Sequence, residues 1–172
     1  MDEYRDDFFV VLPSNSNMSV YNENHSGKFT VRLPETVRLK GGWEVAATEF
    51  HYTNNFAVLP EHNEIADPKA RAIPSSIFIY SDVADFQFVG DVKAQLLGIV
   101  PVSTKAEHRE HWTFSPPYYS RVQSNTFCEI RVWLADQLGN ELKSTTVNDF
   151  VILRLHFRRR PQQQQQQQER SV

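Results

Sequence analysis

Short runs in which apolar and polar residues alternate recur along this chain, whereas the three-to-four-residue spacing of an amphipathic helix hardly appears. The clearest runs lie near the end. In Cys128-Glu129-Ile130-Arg131-Val132-Trp133-Leu134, one face carries Cys128, Ile130, Val132 and Leu134 and the other Glu129, Arg131 and Trp133. In Val151-Ile152-Leu153-Arg154-Leu155-His156-Phe157, Val151, Leu153, Leu155 and Phe157 oppose Ile152, Arg154 and His156. Successive side chains of a strand point to opposite faces, so each run predicts a strand with one buried and one outward side. Asp136-Gln137-Leu138-Gly139-Asn140 supplies turn chemistry between them.

The same pattern continues upstream. Phe8 to Leu12, closed by Pro13, predicts a buried strand followed by a Ser/Asn-rich loop to Ser26. Lys28 to Leu33 alternates, Pro34 interrupts the pairing, and Val37 and Leu39 resume it. After a Gly41-Gly42 turn, Trp43 to Tyr52 predicts a longer strand whose apolar side changes within Ala46-Ala47-Thr48. That change marks a bulge or a strand passing between sheets. Residues 53–74, with Pro60, Pro68 and Pro74, form a polar excursion with one helical turn near Asp67 to Ala72. Further strands are expected at Ser76 to Ser81, Leu96 to Val102 and Glu107 to Phe114, with loops over Asp82 to Asp91 and Ser115 to Asn125. About eight strands are then available, near what a two-sheet jelly roll needs, so the expected fold is an all-β, antiparallel β-sandwich.

Length and composition agree with one domain. The 172 residues are 40% hydrophobic and 23% charged, and 12 Phe and 6 Tyr suit strands better than helices. The formal net charge of -3 gives no overall attraction for nucleic acid. Charge is nevertheless uneven: Asp2, Glu3, Asp6 and Asp7 crowd the start, and Arg158, Arg159 and Arg160 sit near the end. Those arginines precede Pro161 and a run of glutamines from Gln162 to Gln168, a composition that buries no apolar surface. The expected organisation is a domain over residues 1–157 and a disordered tail over 158–172, whose arginines offer weak contact to nucleic acid or a neighbouring protein. No signal-peptide-like run and no membrane-length apolar stretch is present. Asn17-Met18-Ser19 and Asn24-His25-Ser26 match the glycosylation sequon and, without such a signal, are read as chance.

Candidate chemistry is sparse. The single cysteine, Cys128, excludes an intrachain disulfide and a Cys-based zinc cluster, and its strand face predicts a small buried hydrophobe. His108 and His111 are close in sequence, but on a strand they would point to opposite faces and could not share a metal locally. Asp82, Asp85 and Asp91 around one loop are a candidate cation site of the commonplace loop-acid kind. No nucleophile elbow, phosphate-cradling glycine loop or dinucleotide fingerprint occurs, so nothing argues for catalysis or a cofactor. Outward aromatic residues carry more information. Trp133, flanked by Arg131, lies on a polar strand face with Arg154 on another, and Phe86, Phe88, Tyr118 and Tyr119 lie in loops. Together these seven are the expected subunit interface, because exposed aromatic and arginine side chains are what protein contacts use.

With those segments in view, the chain resembles the small single jelly-roll penton, or minor capsid, proteins of Polinton (Maverick) elements and adintovirus-like viruses. The resembling pieces are Phe8 to Ser16, Lys28 to Pro34, Gly42 to Ala46, Val89-Gly90-Asp91 with Leu96 to Val102, and Ile152 to Arg158. Asn22 to Thr30 is also similar, with one gap, to an Asn/Asp-His-Ser-x-Phe-Thr stretch in the jelly roll of adenovirus penton base. The resemblance implies a structural virion protein assembled in the host cell interior. It implies homopentamers at icosahedral five-fold vertices, packed among double jelly-roll major capsid proteins, and it supplies no catalytic residues. A β-sandwich module that binds a protein or carbohydrate through its loops is the alternative expectation, and a cupin-like metalloenzyme a more distant one.

Overall fold

The computed structural model describes residues 6–15, 25–53, 56–58, 74–102, 109–144 and 149–161. Among them there is no helix. In chain order the strands are β1 (Asp7–Pro13), β2 (Lys28–Arg38), β3 (Trp43–Thr53), β4 (Phe56–Val58), β5 (Ser76–Ser81), β6 (Gln87–Val89) and β7 (Val92–Ala94). They continue as β8 (Leu96–Pro101), β9 (Arg109–Thr113), β10 (Ser120–Arg121), β11 (Thr126–Ala135), β12 (Leu142–Ser144) and β13 (Val151–Arg159).

Two antiparallel sheets form the body. The first has the order β1-β13-β3, with β9 and β10 both paired to the far edge of β3; the second has the order β2-β11-β5-β8. Counting β9 and β10 as one interrupted strand, each layer has four positions, and the two strand orders, with β5 and β8 consecutive in one sheet, are those of a jelly roll. The protein is therefore a single jelly-roll β-sandwich. Two short pairs, β4 with β12 and β6 with β7, stand outside the main sheets.

The alternation seen in the sequence decides which faces meet. Leu153, Leu155 and Phe157 from β13 and Ile130, Val132 and Leu134 from β11 are fully buried between the layers. At one end Phe157 stacks on Phe8 at 4.9 Å and on Phe127 at 5.6 Å, with Phe8 5.5 Å from Trp43. Phe157 and Trp43 are buried, and full burial of such a ring stabilises the fold by about 1.5–3 kcal/mol; the partly buried Phe8 and Phe127 contribute less. The side change within Ala46-Ala47-Thr48 is a β-bulge: Arg154 pairs with Glu49 but Leu155 with Ala47, leaving Thr48 as the extra residue. Its hydroxyl donates to the Arg154 carbonyl at 3.2 Å.

Several expectations change. The Asp136–Asn140 turn, expected between the two C-terminal runs, leads β11 into the short β12, and the runs themselves, β11 and β13, lie in opposite sheets. Cys128 is exposed, not buried: the β11–β2 register breaks between Phe127 and Glu129, where β2 passes through Pro34, and the alternation resets there. β1 is an edge strand with one outward apolar row, Phe9 at 49% and Val11 at 55% exposure, so it is not buried on both sides. The loop over 82–91 contains β6, and the loop over 115–125 contains β10. The body runs two residues beyond the expected end at 157, since Arg158 and Arg159 complete β13. The helical turn near Asp67 and the glutamine run lie outside the described residues.

Candidate subunit interface

On the outer face of the second sheet, β5 and β11 set Tyr80 beside Trp133, their rings stacked at 5.9 Å and nearly parallel at 11°. Ile77 and Ile79 point inward, so period two turns Phe78 and Tyr80 outward beside Trp133. Two projections rise over this aromatic floor and make a groove of about 860 Å³. One is the β6–β7 hairpin, turned at Gly90, whose φ of 61° is a left-handed conformation that glycine adopts without strain. Gln95 and Gln87 anchor it: Gln95 Nε2 donates to the carbonyls of Asp82 and Ala84, and Gln87 Nε2 to that of Leu96 at 2.6 Å. The other is the 136–140 turn. Asp136 is buried, and its Oδ1 accepts from the backbone N–H groups of Leu138 and Asn140 at 2.9 and 2.8 Å. That geometry holds Leu138 out at 79% exposure on the groove rim.

Phe86, Val92, Lys28, Lys93 and Arg131 line the same groove. Asp91, Asp136 and Glu141 line it as well, so an aromatic floor and apolar rim are bordered by charges of both signs, a composition compatible with a protein contact. Phe88, at 81% exposure, stands on the hairpin with the Lys93 ammonium 5.3 Å from its ring centre. Asp82, itself solvent-exposed, accepts from the Arg131 backbone N–H at 2.9 Å; partial desolvation raises its pKa above the ordinary 3.8, opposed by that hydrogen bond and the Arg131 charge. Burial likewise raises the Tyr80 phenol, which therefore stays neutral across the physiological range.

The remaining expected residues lie on the opposite layer. Cross-strand pairing aligns Asp7, Arg158, Glu44 and Arg121 in one row, and Val11, Arg154, Glu49 and Thr113 in another. Arg158 Nε donates to Glu44 at 2.6 Å while its guanidinium covers the Tyr119 ring at 3.4 Å. His156 bridges Tyr119, through Nδ1 at 2.7 Å, and Asp7, through Nε2 at 2.9 Å. Arg154 lies over Phe9 at 4.2 Å and 3.7 Å from Glu49. Tyr119 and Arg154 are thus held by their own chain, and of the two loop tyrosines Tyr118 is the exposed one.

The seven expected interface residues therefore form two groups: Trp133, Arg131, Phe86 and Phe88 at the groove side, and Arg154, Tyr119 and Tyr118 at the other. Of the terminal arginines, Arg158 is paired with Glu44 and Arg159 lies 3.8 Å from Asp6, so both belong to the sheet rather than to a free arm. Asp82 and Asp85 spend carboxylate oxygens on backbone N–H groups of Arg131 and Phe86, and with Asp91 they make no convergent set among the described residues. Sequence reasoning missed Phe78, Tyr80, Asp136 and Leu138. The alternation of Ser76 to Ser81 already turned Phe78 outward, but which strand would lie beside β5 was not a local signal.

Comparison with solved structures places this arrangement among jelly rolls. The chain is similar to the crystal structure of the mavirus penton protein, with a TM-score of 0.58 and 9% sequence identity, over 90% of this chain and 99% of that one. No protein-family profile matches the sequence, and no curated protein matches it. At this identity the likeness concerns the fold.

Proposed function

We propose that this protein is a structural capsid subunit: a penton that assembles as a homopentamer at the five-fold vertices of an icosahedral shell of a virus or Polinton-like element. The observation that carries the reading is the end-to-end agreement of its jelly roll with the mavirus penton protein, which leaves almost none of that chain unmatched. The two-sided distribution of outward aromatic residues supports it further. A ring needs a heterologous contact, in which one patch of each subunit meets a different patch of the next. The groove at Trp133 is one such patch, and the opposite layer, with Phe9, Val11 and Tyr118 outward, provides the other. Desolvated aromatic side chains would supply contact energy and the charged borders the register. The flanks of the ring would meet the double jelly-roll major capsid protein, and the chain would reside in the virion.

Sedimentation velocity and negative-stain imaging of the purified chain test this. Five-membered rings support the penton reading. A chain that stays monomeric at high concentration and is retained on a glycan array belongs instead to the carbohydrate-binding modules.

A further inference from the structure

On the outer face of the first sheet, away from the groove, β3 and β9 bring His51 directly opposite His111 across the antiparallel pair. Directly opposed residues have their Cβ atoms about 4.5–5.5 Å apart, so both imidazoles rise from adjacent points. The rings stack at 4.2 Å with a 19° tilt. Glu49 lies two residues before His51 on the same strand and face, its Oε2 3.9 Å from His51 Nε2. One donor atom from each of the three lies within 4.8 Å of the others. Thr113, opposite Glu49, sets its hydroxyl 3.4 Å from His111 Nε2 and helps orient that ring.

We propose that Glu49, His51 and His111 bind one divalent first-row transition ion of the Zn²⁺ class, stapling the edge strand β9 to β3. Two imidazoles and one carboxylate are a common zinc donor set, leaving one position of a tetrahedron for water. Imidazole nitrogen selects Zn²⁺, Cu²⁺ or Ni²⁺ over Mg²⁺ and Ca²⁺, which prefer all-oxygen sites. Metal–ligand bonds of about 2.0–2.2 Å require the three donors to draw closer than they stand. Side-chain rotation provides this, because Glu49 and His51 are half-buried and His111 is exposed. Arg154 is the competitor: its Nη1 lies 3.7 Å from Glu49 Oε2 and must release that oxygen, which a half-exposed ion pair on the sheet surface can do at small cost. The sequence set His108 against His111 and dismissed the pair; the partner of His111 is the residue across the sheet.

The test is titration of the full chain, free of any histidine tag, with Zn²⁺ by calorimetry and with Co²⁺ by visible absorption, using Mg²⁺ as control. Saturation at one Zn²⁺ per chain, with a Co²⁺ ligand-field band, is expected. Loss of an outer-shell partner weakens metal sites about 10–100-fold, so His51→Ala and His111→Ala should lower affinity by about tenfold or more. Glu49→Gln, which keeps the side-chain shape, should also weaken binding. Arg154→Ala should strengthen it, a response that a merely structural role would not produce. His25→Ala should bind as the parent does. Absence of saturable Zn²⁺ binding, equal affinity in the two histidine variants and the parent, or loss only in His108→Ala would each overturn the proposal.

Discussion

Trp133→Ala separates an interface residue from a core residue. In the single chain, Trp133 is half-buried, with Tyr80 stacked against one face and the groove open beside it. Truncating a fully buried aromatic costs about 3–5 kcal/mol, and an aromatic pair accounts for about 0.5–1.5 kcal/mol beyond area. A half-covered ring should therefore cost the isolated fold about 1–2 kcal/mol, leaving a chain that still melts cooperatively. At a protein contact, an aromatic anchor in a desolvated pocket is worth about 2 kcal/mol or more, which is roughly 30-fold in dissociation constant for each interface. The proposed ring would use the groove once per subunit, so the loss would repeat around it and the assembled form should give way to monomers over a narrow concentration range. Sedimentation velocity across a dilution series reads the assembly, and thermal melts of the monomer read the fold. Unchanged assembly together with a large fall in melting temperature would refute the reasoning, because Trp133 would then be only a cover for the sheet.

A Cβ on Gly27 would overlap the Leu142 carbonyl oxygen, and Gly27 also accepts from the Leu134 N–H at 2.8 Å and donates to His25 Nδ1 at 3.1 Å. Gly27→Ala should cost about 2–4 kcal/mol in urea unfolding, and a loss below about 0.5 kcal/mol would contradict this packing. Asp82 is solvent-exposed, but partial desolvation where its carboxylate meets the sheet raises the folded-state pKa above the ordinary 3.8, so the folded chain keeps a proton that the unfolded chain has lost, and stability falls as pH rises through that window. Asp82→Asn keeps the acceptor for the Arg131 N–H without a charge to desolvate. Its melting temperature relative to the parent should rise slightly between pH 3.5 and pH 7, and a constant difference would argue against any desolvation of this carboxylate. Deleting residues 162–172 should leave melting unchanged, since the closing strand ends at Arg159; early melting would show that the tail supports the body.

Strand faces were legible wherever a run alternated without interruption. Leu153, Leu155 and Phe157 were assigned inward from sequence and are buried, and the bulge at Thr48 announced itself as a change of apolar side. Interruptions were less legible. Cys128 follows the alternation of its neighbours on paper, but Pro34 on the partner strand breaks the ladder opposite it, and a break on another strand leaves no mark on the first. The groove and the Glu49, His51 and His111 cluster were illegible for a related reason. Each joins segments far apart in sequence, and pairing partners are set by packing of the whole sandwich rather than by local pattern.

The pairing of β1 with β13, from Asp7 opposite Arg158 to Pro13 opposite Ile152, constrains how the chain is made. All strands of the β2-β11-β5-β8 sheet have been synthesised by residue 135, whereas the other sheet lacks the strand between β1 and β3 until Arg159 has been added. Until β13 is in place, the β2-β11-β5-β8 layer has an oily side that the incomplete second layer covers only in part. Closure over so long a separation is slow. Nascent subunits should accordingly lean on chaperones, and messages truncated before β13 should yield insoluble product rather than a smaller working part.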